Sequence, residues 1–242
     1  MTKSAMVMAA GLGTRMRPLT DHLPKPLVML GGKPLIDYTL DRLAAAGVGR
    51  IIVNVHYLPD QIEAYLVQHS DDFEIVISDE RALLLETGGG LIKARSHLCE
   101  DPFFCVNSDN IWTENGPPAL ERLTAAWDAE KMDALLLLVR QEQAHHHGGA
   151  GDFFLHANGQ IERRGERARA PFIYTGVQLI SHRLLRDPPE GPFSTNILWT
   201  RAILEGRLYA IEHDGEWFDI GRPEAIAPTE ARLSSLAALD NG

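Results

Sequence analysis

Short apolar runs alternate with amphipathic segments through the first half of the chain, and this alternation constrains the fold more than any other feature. The apolar runs predict strands at residues 5–9, 51–55, 73–77, 103–106 and 135–139. The segments between them predict helices at residues 35–46, 60–69, 90–98 and 118–130. Strands that alternate with helices are typical of a mainly parallel sheet covered on both faces. We therefore expect an α/β, Rossmann-like fold.

The pattern changes at about residue 145 to glycine-rich and mixed segments. From there the sequence predicts strands at residues 172–180 and 208–212, and helices at residues 195–205 and 223–236. The chain has 242 residues, and 45% of them are hydrophobic, which is enough to bury one large core. We expect one domain, residues 1–242, in which residues 1–140 form one half and residues 141–242 form a second, lid-like half.

The 33 acidic residues outnumber the 23 lysines and arginines, which gives a formal charge of −10. Proteins that bind nucleic acid usually carry a clustered basic face, so we expect no nucleic-acid partner. No apolar run approaches the roughly 20 residues of a membrane-spanning helix, and Gly11 interrupts the first apolar run before it reaches signal-peptide length. The prediction is a cytoplasmic protein that does not bind a membrane.

A glycine-rich loop follows the first predicted strand. Gly11 and Gly13 have no Cβ, so the backbone can bring its N–H groups close to phosphate oxygens. Arg15 and Arg17 follow at once, and guanidinium groups bind phosphate through paired hydrogen bonds. This combination predicts a loop that binds a triphosphate.

A lysine between two prolines comes next. Pro24 fixes its own φ and Pro26 disfavours the helical region for Lys25, so we expect the ammonium group on a short, stiff, extended segment.

Two common glycine-rich motifs do not match. A dinucleotide fingerprint needs a third glycine where Met16 stands, and the Gly-Lys-Pro at residues 32–34 lacks the serine or threonine of a P-loop.

Six motifs recur in the order expected of one enzyme family. They are Ala-Gly-Leu-Gly-Thr-Arg-Met-Arg-Pro-Leu-Thr at residues 10–20, Pro-Lys-Pro-Leu at 24–27, Glu-Thr-Gly-Gly-Gly at 86–90, Asn-Ser-Asp at 107–109, Tyr-Thr-Gly-Val at 174–177 and Trp-Phe-Asp-Ile-Gly at 217–221. Together they resemble the sugar-1-phosphate nucleotidyltransferases over nearly the whole chain. The resemblance implies a single glycosyltransferase-A-like domain, in which residues 1–140 bind the nucleotide and residues 141–242 bind the sugar.

The resemblance also implies the reaction. An oxygen of a sugar-1-phosphate attacks the α-phosphorus of a nucleoside triphosphate and expels pyrophosphate. The attacking phosphate is already an anion, so catalysis depends on alignment and on neutralising charge. We expect Lys25, Arg15 and Asp109 to be the catalytic residues, and Asp109 and Asp219 to be the ligands of Mg²⁺.

The remaining site residues follow from their places in the family motifs. For the nucleotide they are Ala10, Gly11, Gly13, Thr14, Arg15, Arg17, Glu86, Gly88 and Gly89. For the sugar they are Asn107, Asp152, Thr175, Gly176 and Asn196. Three histidines at residues 145–147 precede a glycine-rich stretch, and we interpret them as part of a loop rather than as a metal site.

The short chain and the histidine-rich segment at residues 145–153 look most like the bacterial N-acetylmuramate-1-phosphate uridylyltransferases of cell-wall recycling, with UTP as the nucleotide. A mannose-1-phosphate guanylyltransferase, which uses GTP, shares the phosphate and metal motifs and stays open as an alternative. A catalytically silent protein that binds nucleotide sugars as a regulatory subunit is a second alternative.

Overall fold

The computed structural model describes residues 2–240. Its strands are β1 (Ser4–Met8), β2 (Met29–Leu30), β3 (Lys33–Pro34), β4 (Arg50–Val55), β5 (Glu74–Asp79), β6 (Phe103–Asn107), β7 (Asn110–Trp112), β8 (Ala134–Arg140), β9 (Ala144–His145), β10 (Phe153–Leu155), β11 (Ile161–Arg163), β12 (Phe172–Ile180), β13 (Leu208–Glu212) and β14 (Trp217–Asp219). Its α-helices are α1 (Leu35–Ala45), α2 (Pro59–Leu66), α3 (Glu86–Ala94), α4 (Ala119–Ala126), α5 (Asn196–Leu204) and α6 (Ile226–Asp240).

The main sheet is built around β1, which pairs in parallel with β4 on one side and β6 on the other. Strand β5 continues the parallel part beyond β4. Strand β12 runs antiparallel to β6 and to β8, and β13 pairs in parallel with β8. The predicted α/β fold with a mainly parallel central sheet is therefore confirmed, and an antiparallel region extends it.

The second half of the chain is part of this sheet. Strand β12 begins and ends at the predicted residues and lies between β6 and β8, with most of its side chains buried. Its run of apolar residues is the sequence pattern of a strand covered on both faces. The lid-like half therefore contributes a central strand, while β10 and β11 extend the sheet at one edge.

The core lies on both faces of the sheet because neighbouring strand residues point to opposite sides. One face buries Val7, Val53, Val106 and Leu137 under α1, α2 and α4. The other face buries Met6, Ile52, Cys105 and Leu136 under α3 and α5. This arrangement leaves the carboxyl ends of β1, β4 and β6 at one edge, where ligands bind in sheets of this type.

A small sheet of β7, β14 and β9 stands beside that edge. Sequence patterning did not predict it, because strands of two or three residues are too short to show a period. Four predicted helices also differ from the structure by three or four residues at an end. Helix α3 begins at Glu86 instead of residue 90, and α4 ends at Ala126 instead of residue 130. Helix α2 ends at Leu66 instead of residue 69, and α6 begins at Ile226 instead of residue 223. Within residues 2–240, no helix is long and apolar enough to cross a bilayer.

Candidate active site

A cleft of about 380 Å³ opens at the carboxyl edge of the parallel strands. Ala10 and Gly11 line it from the loop after β1, and Asn107 and Asp109 line it from the end of β6. Asn54, near the end of β4, completes this wall; its side chain accepts from the N–H of Ala9 at 2.8 Å. The glycine-rich loop after β1 and the Asn-Ser-Asp motif at the end of β6 therefore meet at one edge of the sheet.

The glycine-rich loop packs against the lysine segment. Gly13 has φ +63°, and a Cβ at this position would lie 3.1 Å from both Lys25 Cβ and Thr20 Cγ2. The Thr20 hydroxyl donates to the Gly13 carbonyl at 2.8 Å, which closes the loop. Thr14 is exposed and begins the 3-10 turn that buries Met16. Glycine is therefore required at residue 13 by both backbone conformation and space.

Lys25 lies at the cleft wall, and its ammonium group forms an ion pair with Asp109. The predicted extended conformation is wrong. Lys25 opens a 3-10 turn, Lys25–Leu27, because Leu27 N donates to the Pro24 carbonyl at 2.9 Å and Val28 N donates to the Lys25 carbonyl at 3.0 Å. Only Pro24 is extended, with ψ 144°. The turn and the buried Pro26 still hold the lysine in a fixed place.

The two carboxylates expected to hold metal lie at the border of the small sheet. Asp219 ends β14 and pairs with Asn110, the first residue of β7, and Asp109 directly precedes Asn110. The Lys25 ammonium group pairs with Asp109 and also acts on Asp219. Burial acts to raise the pKa of Asp219, but His147, Arg15 and Lys25 outweigh it and hold that pKa below its ordinary value. Ionised carboxylate oxygens are the donors that Mg²⁺ prefers, so this pair fits a magnesium site.

The two predicted arginines behave differently. A Cβ on Gly221 would lie 3.1 Å from Arg15 Nη1 and 2.8 Å from Asp219 Oδ1, so the Arg15 guanidinium stands beside the second carboxylate. Arg17 is exposed and pairs with Asp21, at 3.4 Å between Nε and Oδ1. The structure places Arg15 beside Asp219 and pairs Arg17 with Asp21 at the surface.

Two of the three histidines lie beside Asp219, although the sequence indicated only a loop. His146 lines a small pocket together with Arg15 and Asp219. His147 Nδ1 is 3.5 Å from Asp219 Oδ2, and the neighbouring Asp219 raises the pKa of His147. His145 stacks on Phe218, with ring centroids 4.8 Å apart, and its Nε2 lies 2.8 Å from Glu216 Oε2. Parallel pairing of β9 with β14 creates these contacts, which a local pattern cannot predict.

The glycine-rich start of α3 is divided between the cleft and the core. Glu86, which the sequence predicts to bind the nucleotide, lines the cleft together with Thr87. Gly88 and Gly89 both donate their N–H groups to the Phe193 carbonyl, at 2.8 and 3.1 Å. A Cβ on Gly88 would lie 2.3 Å from the Phe193 ring. The absence of a Cβ at these two glycines therefore lets Phe193 pack against them. Their amide N–H groups are not free to bind a nucleotide.

A second cleft of about 350 Å³ contains two of the predicted sugar residues, Asp152 and Asn196. The Asp152 carboxylate accepts from the N–H of Tyr174 at 2.9 Å. Thr175 does not reach it, because its side chain is buried and its hydroxyl donates to the Leu137 carbonyl at 2.9 Å. Gly176 has φ +85°, and a Cβ there would lie 2.5 Å from Asn107 Nδ2.

A further group, Glu114, His213 and Asp214, also brings metal-ligating atoms within 4.8 Å of one another. Arg42 Nη1 is 3.1 Å from Glu114 Oε1, and Arg122 Nη1 is 2.8 Å from Asp214 Oδ1. Two guanidinium groups already neutralise the two carboxylates, so this group does not fit a divalent cation. The pair Asp109 and Asp219 remains the better metal-binding position.

The fold and the cleft together define a nucleotide-handling α/β protein, because cations, carboxylates and a phosphate-sized loop meet at the edge where such sheets bind nucleotides. The chain belongs to the nucleotidyl transferase family, whose model matches residues 4–163. This match confirms the resemblance found in the motifs and the enzyme class that it implied.

Relatives with two kinds of name match the chain. A Caulobacter vibrioides protein named N-acetylmuramate alpha-1-phosphate uridylyltransferase is 45% identical, over 96% of this chain and 97% of its own length. A Neisseria meningitidis protein of the same name is 34% identical, over 97% of each chain. An Arabidopsis thaliana probable mannose-1-phosphate guanylyltransferase 2 is 30% identical, and the match spans 96% of this chain but 65% of that protein.

A solved structure supports the fold. The inositol-1-phosphate CTP transferase of T. maritima has a TM-score of 0.78 and 19% sequence identity, over 96% of this chain and 95% of that one. At this identity the likeness concerns the fold alone.

Proposed function

We propose that this enzyme transfers UMP from UTP to N-acetylmuramate-α-1-phosphate, giving UDP-N-acetylmuramate and pyrophosphate. The single observation that carries the proposal is the 45% identity, over nearly the full length of both chains, to the Caulobacter relative of that name. The Neisseria relative supports it at 34% identity, again over nearly both full lengths.

The proposed reaction requires that the two substrates be aligned, and it needs no protein nucleophile. A phosphate oxygen of the sugar-1-phosphate forms a bond to the α-phosphorus of UTP, and the bond from that phosphorus to the bridging oxygen of the β-phosphate breaks. Lys25 lies at the cleft wall beside Asp109, where an ammonium group would stabilise charge on the α-phosphate and on the attacking phosphate. Arg15 would hold the β- and γ-phosphates, which leave as pyrophosphate.

Magnesium completes the proposed site. Asp109 and Asp219 would hold Mg²⁺, which supplies charge neutralisation to the triphosphate when it is bound. His147 and Arg15 keep the Asp219 carboxylate ionised, since they contribute to lowering its pKa. The protein's own part is to present two carboxylates and one ammonium group from different segments of the chain.

In the single proposed domain, each half would bind a different substrate. In residues 1–140, Ala10, Gly11, Gly13 and Thr14 would bind the nucleotide together with Glu86. Asn54, which the sequence did not single out, lies at the cleft wall and joins them. In residues 141–242, Asp152 and Asn196 would bind the sugar, with Asn107 between the halves. We place the reaction in the cytoplasm and in cell-wall recycling, because N-acetylmuramate is a sugar of the bacterial wall.

A mannose-1-phosphate guanylyltransferase is the second candidate. Several relatives carry that name, including the Arabidopsis protein at 30% identity. The match spans only about two thirds of those relatives, 65% for the plant protein, and their identity to this chain is lower than that of the two uridylyltransferases.

The test is pyrophosphate release with Mg²⁺ over a grid of nucleotides and sugars. UTP, GTP, CTP, dTTP and ATP are each combined with the 1-phosphates of N-acetylmuramate, mannose, glucose and N-acetylglucosamine. We expect the highest kcat/KM with UTP and N-acetylmuramate-1-phosphate, and loss of turnover when EDTA removes the metal. Preference for GTP with mannose-1-phosphate would replace the proposal with the second candidate. Nucleotide binding without turnover in any combination would indicate a silent binding protein.

A further inference from the structure

The second cleft contains an arginine without an anionic partner. Arg163 donates from Nη1 to Asn196 Oδ1 at 3.0 Å and from Nη2 to the Asn196 carbonyl at 2.9 Å. Its guanidinium carbon lies 5.6 Å from the centre of the Phe153 ring. Within the described residues no carboxylate forms an ion pair with Arg163, and its Nε has no hydrogen-bond partner.

The lack of an anionic partner is energetically unfavourable for a half-buried cation such as Arg163. Burial lowers the pKa of Arg163, which means that the surroundings disfavour its charge. Several other arginines of the chain have carboxylate partners: Arg167, four residues after Arg163, pairs with Glu162, and Arg140 pairs with Glu212. A buried cation without an anion is stabilised when a ligand supplies one.

The charge of the whole cleft favours an anionic ligand. Arg164 also lines it, and its guanidinium donates to two backbone carbonyls, of Gly151 at 3.1 Å and of Arg167 at 2.8 Å. The only carboxylate among the lining residues of this cleft is that of Asp152. Two guanidinium groups against one carboxylate leave a local charge of +1, although the chain as a whole has a formal charge of −10.

The second cleft adjoins the nucleotide cleft. Asn196 Nδ2 donates to Ser194 Oγ at 3.1 Å, and Ser194 lines the first cleft. A sugar-1-phosphate whose phosphate lies near Lys25 would therefore extend its ring toward Asp152 and Asn196.

Arg163 and Asp152 line the second cleft, whereas Lys25 and Asp109 line the first. An anion bound by Arg163 is therefore separate from the phosphate that reacts.

We propose that Arg163 binds a carboxylate carried on the sugar ring, and that it makes the enzyme selective for sugar-1-phosphates with a second, acidic group. The inference rests on the proposed function and specifies its substrate class. N-acetylmuramate is N-acetylglucosamine with a lactyl ether that ends in a carboxylate, whereas mannose carries no such group. A guanidinium fork matches a carboxylate in shape and charge.

The test compares two substrates that differ only in the lactyl group. We would measure kcat/KM with UTP for N-acetylmuramate-1-phosphate and for N-acetylglucosamine-1-phosphate, in the wild type and in Arg163→Gln. The ratio of the two values should fall by about 10- to 100-fold in the variant, chiefly through KM, since a hydrogen bond to a charged group is lost. Arg163→Lys keeps the charge without the fork and should fall between the two.

The matched control is Arg169→Gln, because Arg169 is exposed and the substitution makes the same change in charge. This variant should leave the substrate ratio as in the wild type. An unchanged ratio in Arg163→Gln would overturn the inference. An equal loss with both substrates would also overturn it, since Arg163 would then serve the shared phosphate or the shape of the cleft.

A binding measurement separates this inference from the proposed reaction. Calorimetry with UDP-N-acetylmuramate and UDP-N-acetylglucosamine needs no turnover. The wild type should bind the acidic product more tightly, and Arg163→Gln should lose that preference. If the wild type turns over neither sugar, the proposed reaction fails. The inference fails separately if the wild type binds both products equally.

Discussion

At the scale of single residues, Lys25 connects the wall of the nucleotide cleft with the carboxylates of Asp109 and Asp219. Its side chain is 15% exposed and that of its partner Asp109 is 26% exposed, so the ion pair is partly shielded from water. Shielding strengthens the interaction of the ammonium group with any phosphate that enters. Lys25 also contributes to lowering the pKa of Asp219. One side chain thus lines the cleft and acts on both carboxylates of the proposed metal site.

Replacement of Lys25 by alanine should lower kcat by about 10²- to 10³-fold, because a positioned group that stabilises transition-state charge is lost. Binding of UTP should persist, since the loop after β1 and the start of α3 are unchanged. Pyrophosphate release measures the first effect and calorimetry with UTP the second. Lys33→Ala is the matched control, because Lys33 pairs with Asp41 at the surface. A Lys25→Ala enzyme with normal kcat would contradict the assigned role.

At the scale of elements, α3 contains a glycine run that resembles a ligand-binding motif but serves the packing of the helix. The helix begins at Glu86, which has φ +58°, and its buried glycines face other parts of the chain. Gly88 lies against Phe193, and a Cβ on Gly90 would lie 2.9 Å from Glu80 Oε1. The glycine run thus sets the distance between α3, the sheet and the segment before α5.

Gly88→Ala should reduce the free energy of unfolding by about 1–3 kcal/mol, because the new methyl group overpacks the contact with Phe193. Gly49→Ala is the control, since a Cβ at Gly49 meets nothing within 4 Å. Urea unfolding compares the two variants. Equal stability of both would mean that the Phe193 segment moves away without cost.

At the scale of the whole molecule, His213 links several elements in the interior. It is fully buried after β13, and burial, with Arg122 and Arg42 nearby, lowers its pKa to about 4. Asp214 acts in the opposite direction. The unfolded chain takes up the proton near pH 6.5, whereas the folded protein does so only near pH 4. The contribution of His213 to the free energy of unfolding is fully present above about pH 6.5 and is lost as the pH falls toward 4.

Between pH 7.5 and 5 the wild type should lose about 2 kcal/mol of unfolding free energy through His213. His213→Asn removes this contribution, so its stability should vary less over the same range even if it is less stable at pH 7.5. Urea unfolding at the two pH values measures the difference. The control is His22→Asn, at an exposed histidine. A wild type and a His213→Asn variant with the same pH dependence would contradict the prediction.

Much of the fold was predictable because it depends on local patterns. The bounds of β12 and β13 match the prediction at both ends, and those of β1 and β4 differ by one residue. The strands β7, β9 and β14 were not predictable, since pairing with distant segments defines them. The misplaced start of α3 has the same origin, because three glycines predict no helix by propensity and tertiary packing overrides them.

The sequence by itself determined the α/β fold, because hydrophobic period acts between near neighbours in the chain. Its six motifs determined the enzyme class through their resemblance to a known family. The tertiary structure decided which residues of those motifs reach the site. It brought His147 to Asp219, turned the Thr175 hydroxyl into the core and left Arg163 without an anion. These outcomes depend on contacts between segments far apart in the chain, so no local pattern contains them.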